Sequence, residues 1–232
     1  MQAFLEEAKR SSRTIANLST AVKNKVLNEM ADALMKHCDF IISHNDKDMS
    51  EAKLNNLDEA LLDRLLLTGD RVKAMSDAIR QIASQQEPVG RILDGWVTKD
   101  GLNIQKVSIP IGVIGIIYES RPNVTSDTAA LCFKSGNVCV LKGGKEAEHS
   151  NKAIAVVLKE VLAKNKLPEQ AISLLPDSTR EGVAKLIKQD KYVDLIVPRG
   201  GEALIRFVSE NSSIYTLSLH DALPISEERR VG

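Results

Sequence analysis

Residues 110–125 read PIGVIGIIYESRPNVT, in which an apolar run from Gly112 to Tyr118 gives way to a dense polar segment and then to a helical pattern near Val124. An uninterrupted apolar run of this length is typical of a strand buried on both faces of a parallel sheet. Ligands bind beyond the carboxyl ends of such strands, so the polar segment is predicted to face a crevice.

The chain after Pro110 repeats this alternation of apolar runs and helical patterns. The predicted strands are Gly112 to Tyr118, Val138 to Lys142, Ala171 to Leu175 and Val193 to Val197, and the helical patterns are Val124 to Lys134, Ser150 to Lys164 and Arg180 to Lys188. This order predicts an α/β fold with a Rossmann-like parallel sheet over residues 110–214. No GxGxxG turn is present, and Gly112 and Gly115 are predicted to permit close packing of a strand.

The chain before Pro110 predicts a different architecture. Residues 1–90 carry apolar positions at spacings of three and four, which predicts a helical arm, with a break at Ser43 to Asp46. Ile92 to Thr98 and Leu102 to Val107 flank an Asp-Gly turn, which predicts a β-hairpin within residues 91–109.

Charge and cysteine content exclude several classes of function. Thirty-one basic residues balance thirty-one acidic ones, so no net charge favours nucleic acid or an anionic membrane. No apolar stretch has the length of a membrane span, and a cytoplasmic location is expected. Cys38, Cys132 and Cys139 lack metal-ligand or disulfide spacing, so no metal site is predicted and the two cysteines in apolar surroundings are interpreted as packing residues.

Two loops after predicted strands carry candidate ligand groups. Lys142-Gly143-Gly144-Lys145-Glu146 could hold ribose or phosphate oxygens, and a solvated turn is an equally good interpretation. Pro198-Arg199-Gly200-Gly201 could present bare helix-start amides to a pyrophosphate, or could be a plain strand-to-helix turn.

The polar segment after Tyr118 contains two further candidates. Asn123 could give its amide to a developing oxyanion, although the pattern alone favours a helix N-cap. Arg121 could form a surface ion pair or could bind a carboxylate or phosphate through its guanidinium fork.

The polar segment and both loops, together with Lys134-Ser135-Gly136-Asn137, closely resemble the gamma-glutamyl phosphate reductase (glutamate-5-semialdehyde dehydrogenase) family of the aldehyde dehydrogenase superfamily. The resemblance extends from the helical arm to about Ile214. It implies an aldehyde dehydrogenase-like fold and NADPH-dependent reduction of L-glutamyl 5-phosphate to L-glutamate 5-semialdehyde, with release of phosphate, in L-proline biosynthesis. It also implies a homo-oligomeric parent enzyme.

The same resemblance implies roles for individual residues. It places Lys142 and Glu146 at the adenosine ribose and Gly143, Gly144 and Lys145 beside the 2′-phosphate. It places Arg199, Gly200 and Gly201 at the pyrophosphate and Asn123 in the oxyanion hole, and it leaves Arg121 as a candidate substrate-binding residue.

The carboxyl-terminal residues depart from the family pattern. The Gly-x-Cys-His segment that carries the nucleophilic cysteine of the family does not occur, and residues 215–232 resemble a translated sequencing-library adapter. We therefore expect a truncated chain with a foreign tail that binds cofactor and is inactive alone. The alternatives are a non-catalytic nucleotide-binding partner of the full-length subunit and a different aldehyde or acyl-phosphate reductase of the same superfamily.

Overall fold

The computed structural model describes residues 1–177 and 179–217. Its amino-terminal region is a helical arm built from α1 (Gln2–Ala16), α2 (Thr20–Lys36), α3 (Cys38–Leu54), α4 (Glu59–Leu65) and α5 (Gly69–Ser84). Three of these helices begin at a side chain that accepts a backbone N–H of the first turn: Ser19 for α2, Asp58 for α4 and Thr68 for α5. The capping residues therefore set where these helices start.

The predicted break at Ser43 to Asp46 is wrong, because α3 runs through it as part of Cys38–Leu54. Asn45 is fully buried in the middle of this segment. Its side chain donates to the Leu65 carbonyl at 2.8 Å and accepts from the Leu67 amide at 2.8 Å. A polar residue that resembles a helix breaker in sequence is thus a buried anchor for the loop between α4 and α5.

A two-stranded antiparallel hairpin follows the arm, formed by β1 (Ile92–Val97) and β2 (Asn103–Val107). Trp96 stands opposite Ile104 in the register. All of β1 is exposed, and apolar side chains such as Val97 remain two-thirds accessible. The hairpin therefore leaves a band of apolar surface uncovered.

The remaining strands form a parallel sheet in the order β5-β4-β3-β6, from β3 (Val113–Tyr118), β4 (Val138–Lys142), β5 (Ile172–Leu174) and β6 (Leu195–Arg199). Helices α6 (Asn123–Lys134), α7 (Glu148–Lys164), α8 (Arg180–Leu186) and α9 (Glu202–Asn211) alternate with the strands. All six residues of β3 are buried, as its uninterrupted apolar run predicts.

The last strand lies two residues beyond the predicted Val193 to Val197, at Leu195–Arg199. The N–H of Val193 donates to the carbonyl of Gln189 at 2.9 Å, so Val193 still belongs to the turn after α8. As a consequence, Arg199 is the last residue of the strand and not the second residue of a loop.

Helix α7 starts at Glu148, two residues before the predicted Ser150. Asp48 of α3 sets this start, because its carboxylate accepts the backbone N–H groups of His149 at 3.0 Å and Ser150 at 2.8 Å. Asp48 is only 2% exposed, so the arm supplies a buried cap to the helix that follows the β4 loop.

Gly115 allows β3 and β6 to pack closely, as predicted. A Cβ atom at this position would lie 2.5 Å from the Ile196 Cδ1 atom of β6. A larger residue fits here only if the Ile196 side chain moves aside.

Residues 215–217 continue the structure past Ile214. The N–H of Ile196 donates to the Tyr215 carbonyl at 2.9 Å, and the N–H of Leu217 donates to the Ile196 carbonyl at 2.9 Å, which gives a parallel bridge beside β6. The rest of the predicted foreign tail, residues 218–232, lies outside the described residues. In the described ranges, no helix combines the length and hydropathy that a bilayer span requires.

Candidate functional site

Two loops flank the carboxyl end of β3, and they carry most of the predicted ligand residues. Ile117 pairs with Lys142 of β4 on one side, and Tyr118 pairs with Arg199 of β6 on the other. The sheet extends through β4 and β5 in one direction and through β6 in the other, so the chain reverses its winding direction at β3. A reversal of this kind opens a crevice at the strand ends, and both predicted loops lie at that crevice.

Lys142 and Glu146 of the β4 loop lie beside the loop after β3. The Ser120 hydroxyl donates to Glu146 Oε2 at 2.9 Å. Lys142 is half-buried, and burial lowers the pKa of its ammonium group, while the nearby carboxylates of Glu146 and Asp177 partly offset this change. A bound phosphate would favour the charged form of Lys142 in the same way as these carboxylates do.

Close packing explains why two residues of the β4 loop are glycines, which their spacing in the sequence does not reveal. A Cβ atom at Gly143 would approach the Tyr118 ring to 3.1 Å and would also overlap the Asn151 amide. A Cβ atom at Gly144 would lie 3.0 Å from the Ser120 backbone nitrogen. Both glycines are therefore required for the close packing of this loop on the end of β3.

The start of α9 differs from the prediction of bare amides. The backbone N–H of Gly201 donates to Glu119 Oε1 at 3.0 Å, so a carboxylate of this chain occupies the amide that was predicted to receive a pyrophosphate. Gly200 lies against the same side chain, since its Cβ atom would be 2.6 Å from Glu119 Cδ. The chain itself thus places an anionic group, the Glu119 carboxylate, at the start of α9.

A cavity of about 360 Å³ opens between the loops after β3 and β6, and we call it the switch-point cavity. Its lining includes three arginines, Arg64, Arg121 and Arg199, together with Glu119 and the backbone of Gly200–Gly201. Sequence reasoning missed Arg64, because no local pattern indicates which residue of the helical arm reaches the end of the sheet.

Asn123 is the first residue of α6 and makes no N-cap hydrogen bond, so the N-cap interpretation is wrong. Its side-chain amide instead donates to Asp127 Oδ2, one turn later, at 3.0 Å. A carboxylate only accepts hydrogen bonds, so the side-chain nitrogen of Asn123, and not its oxygen, faces Asp127. Within residues 1–177 and 179–217, the second N–H of that amide has no acceptor.

Asp127 is a carboxylate that the sequence pattern did not single out. Its Oδ1 atom is buried and has no hydrogen-bond partner among the described residues. Burial raises the pKa of Asp127, and the Asn123 amide and the charge of Arg199 partly offset this increase. The site therefore holds a buried carboxyl group, one helical turn after Asn123, that has a hydrogen bond to only one of its two oxygens.

A buried polar chain supports the end of β3 from below. The Tyr118 hydroxyl and Thr125 Oγ1 lie 2.7 Å apart, and Thr125 Oγ1 donates to Asn151 Oδ1 at 2.8 Å. Burial raises the pKa of Tyr118 well above its usual range, so the phenol stays protonated. This network joins β3, α6 and α7 beneath the two loops and holds the carboxyl end of β3 in place.

None of the three cysteines of the sequence belongs to the lining of the switch-point cavity. Cys132 and Cys139 are buried in the core, and the neighbouring Cys132 thiol together with burial raises the pKa of Cys139. The interpretation of both as packing residues is confirmed. Across residues 1–177 and 179–217, no three His, Cys, Asp or Glu side chains converge as metal ligands would.

Comparison with known proteins places this arrangement in a family, because residues 1–220 match the model of the aldehyde dehydrogenase family. The chain belongs to the aldehyde dehydrogenase family. Within it, a curated relative is the gamma-glutamyl phosphate reductase of Aliarcobacter butzleri, which is 80% identical over 221 residues, covering 95% of this chain and 53% of the relative. The enzyme of the same name from a Sulfurovum species is 68% identical over 214 residues, covering 92% and 52%.

Solved structures of the aldehyde dehydrogenase family share the fold. Gamma-glutamyl phosphate reductase from Thermotoga maritima superimposes with a TM-score of 0.91 at 37% identity, covering 93% of this chain and 52% of that one. A probable aldehyde dehydrogenase from Listeria monocytogenes gives a TM-score of 0.71 at 16% identity, over 93% of this chain and 44% of that one, and shows the fold alone. The predicted aldehyde dehydrogenase-like α/β fold is confirmed.

The extent of these matches bears on the carboxyl-terminal residues. The chain spans about half the length of the curated relatives that it matches. The aldehyde dehydrogenase family match runs to residue 220, past the predicted boundary at Ile214. The foreign origin of residues 215–232 stays a prediction.

Proposed function

We propose that this chain supplies the dinucleotide-binding portion of a reductase that converts L-glutamyl 5-phosphate to L-glutamate 5-semialdehyde and phosphate, using NADPH, in L-proline biosynthesis. The observation that carries the proposal is the 80% identity to the gamma-glutamyl phosphate reductase of Aliarcobacter butzleri. The switch-point cavity supports it, since parallel α/β sheets bind ligands at this place.

The residues around the cavity fit a dinucleotide that bears phosphate groups. We assign Lys142 and Glu146 to the adenosine ribose and Gly143, Gly144 and Lys145 to the 2′-phosphate; Arg199, Gly200 and Gly201 are assigned to the pyrophosphate. The Glu119 carboxylate at the Gly201 amide supports the last assignment, because it shows that this helix start accommodates an anionic oxygen at 3.0 Å. Pyrophosphate binding at this amide requires Glu119 to move aside.

Other residues of the chain orient the substrate in this proposal. The free N–H of the Asn123 amide points to the oxygen of the reacting carbonyl, where negative charge develops. Arg121 binds an anionic group of the substrate. NADPH, when bound, supplies the hydride, and the thiolate that attacks the acyl phosphate comes from outside this chain.

Titration calorimetry of the full chain with NADPH and with NADH tests the proposal. We expect saturable binding of NADPH and weaker binding of NADH. Lys145→Gln raises the Kd for NADPH about tenfold, the effect of losing one charge-assisted hydrogen bond, and leaves the Kd for NADH unchanged.

The matched control is Lys152→Gln, which removes an exposed lysine that pairs with Glu148 on α7, and it leaves both constants unchanged. Absence of NADPH binding, or equal effects of the two substitutions, contradicts the proposed cofactor site.

A second candidate function is a non-catalytic nucleotide-binding partner of a full-length reductase subunit. The observation in its favour is the position of all three cysteines away from the cavity. Native mass spectrometry of this chain mixed with a full-length gamma-glutamyl phosphate reductase separates the two functions. A stable mixed oligomer favours the partner function, and separate species contradict it.

The proposal includes a cytoplasmic location and a homo-oligomeric parent enzyme. The exposed apolar hairpin supports self-association.

A further inference from the structure

Arg64 lines the switch-point cavity although it belongs to α4 of the helical arm. The chain just after it is held by buried contacts: Leu65 is fully buried, and its carbonyl accepts from Asn45 at 2.8 Å. Arg71 holds the same turn by donating to the Leu66 carbonyl at 2.8 Å. The backbone that carries the Arg64 side chain is therefore fixed before a ligand binds, which reduces the conformational freedom lost on binding.

The charges of Arg64 and Arg121 are uncompensated. Among the described residues, neither guanidinium group has a carboxylate within ion-pair distance, whereas Arg71, Arg80 and Arg206 each have one. Two uncompensated cations at one cavity repel each other and attract an anion.

The other charged groups that line the cavity have roles of their own. Glu119, the one carboxylate among the lining residues, accepts the N–H of Gly201. The third arginine, Arg199, is assigned to the pyrophosphate, and its charge partly offsets the burial that raises the pKa of Asp127. The cavity therefore offers an anion site at Arg64 and Arg121 that is separate from the helix start assigned to the pyrophosphate.

We propose that Arg64 and Arg121 together bind the phosphate group of the acyl phosphate substrate, so that the helical arm determines substrate specificity. The inference rests on the proposed function, which places Asn123 at the reacting carbonyl. Arg121 precedes Asn123 by two residues, and the phosphorus of an acyl phosphate is joined to the carbonyl carbon through a single oxygen. A dianionic phosphate matches two guanidinium forks, whereas one fork suffices for a carboxylate.

The test uses a stable phosphonate analogue of glutamyl phosphate in which a methylene replaces the bridging oxygen. The full chain and its variants are titrated with the analogue, with L-glutamate and with NADPH, by calorimetry or by amide NMR. We expect Arg64→Gln and Arg121→Gln each to weaken analogue binding by about tenfold or more, the loss of one charge-assisted pair. Binding of NADPH does not change.

The matched control is Arg13→Gln, which removes an exposed arginine from α1 without touching the switch-point cavity. Arg64→Lys keeps the charge without the planar fork, and we expect an intermediate affinity. Arg64 is exposed, so these variants fold, and circular dichroism melts verify this.

Several outcomes overturn the inference. Equal analogue affinity in Arg64→Gln and Arg13→Gln removes Arg64 from the site, and a matching loss of NADPH affinity assigns Arg64 to the cofactor. L-glutamate binding that is as tight as that of the analogue, and equally sensitive to Arg64→Gln, identifies a carboxylate subsite instead. A chain that binds NADPH but not the analogue refutes this inference alone, whereas a chain that binds neither refutes the proposed function.

Discussion

At the scale of single residues, two carboxyl groups in unusual surroundings govern the candidate site. One oxygen of Asp127 is buried without a partner, and burial raises the pKa of this group. Glu119 takes the position at the start of α9 that the proposed dinucleotide needs. The burial of Asp127 costs free energy, because one of its oxygens has no hydrogen bond, whereas the helix start stabilises the Glu119 carboxylate.

The raised pKa of Asp127 predicts how stability depends on pH. The unfolded chain loses this proton first, so stability falls as the pH rises from the ordinary carboxyl pKa through the raised pKa of the folded state, and it stays lower above it. Asp127→Asn removes this contribution. We expect the loss of thermal stability as the pH rises above the ordinary carboxyl pKa to be smaller in the variant than in the wild type.

The control for Asp127 is Asp100→Asn, which changes an exposed carboxyl group in the hairpin turn. Its melting temperatures should follow the wild-type pH profile. An Asp127→Asn profile that is parallel to the wild type contradicts the raised pKa.

Glu119 predicts an effect on dinucleotide affinity. Glu119→Gln removes a negative charge from the Gly201 amide, so we expect the Kd for NADPH to fall several-fold, and the gain to shrink at high salt. Glu202→Gln is the matched control, since Glu202 lies in the first turn of the same helix and pairs with Arg206. Weaker NADPH binding in Glu119→Gln shows that Glu119 helps to bind the ligand and contradicts displacement.

At the scale of elements, the four strands of the parallel sheet could be predicted from sequence to within two residues, because strands buried on both faces have uninterrupted apolar runs. The same logic failed at Asn45, whose partners lie 20 and 105 residues away in the chain. The sequence pattern also gave no indication that Arg64 lines the switch-point cavity. Local pattern fixes element type, whereas long-range partners decide which loops meet at the site.

The anchoring of the α4–α5 loop by α3 predicts a large effect of a single substitution. Asn45→Ala leaves the Leu65 carbonyl and the Leu67 amide without their buried partner, so we expect a loss of about 2–4 kcal/mol in the free energy of unfolding. Urea unfolding measures the loss, and hydrogen exchange should show faster opening near Leu67. Asn28→Ala is the control, because Asn28 is exposed and bonds only within its own helix, to Asn24.

At the scale of the whole molecule, the hairpin exposes a group of large apolar side chains. Trp96 is the one tryptophan of the sequence and is 51% exposed, and Val97 is 66% exposed. We expect the chain to self-associate through this surface, with a blue shift of Trp96 fluorescence as concentration rises. Sedimentation velocity measures the size of the species formed.

Val97→Lys should abolish this association by placing a charge in the apolar surface. Val156→Lys adds the same charge to an exposed position of α7 and should leave association intact. Equal effects of the two variants contradict a role for the hairpin.

The ion pair between Lys9 and Asp194 has a consequence for how the molecule is made. Lys9 of the first helix binds both oxygens of Asp194 at 2.6 Å, across 185 residues of chain. A ribosome needs roughly 10 to 40 seconds to add that many residues, so the nascent first helix waits that long for its counter-charge. The first helix emerges early, but this ion pair forms only after the segment that carries Asp194 has been translated.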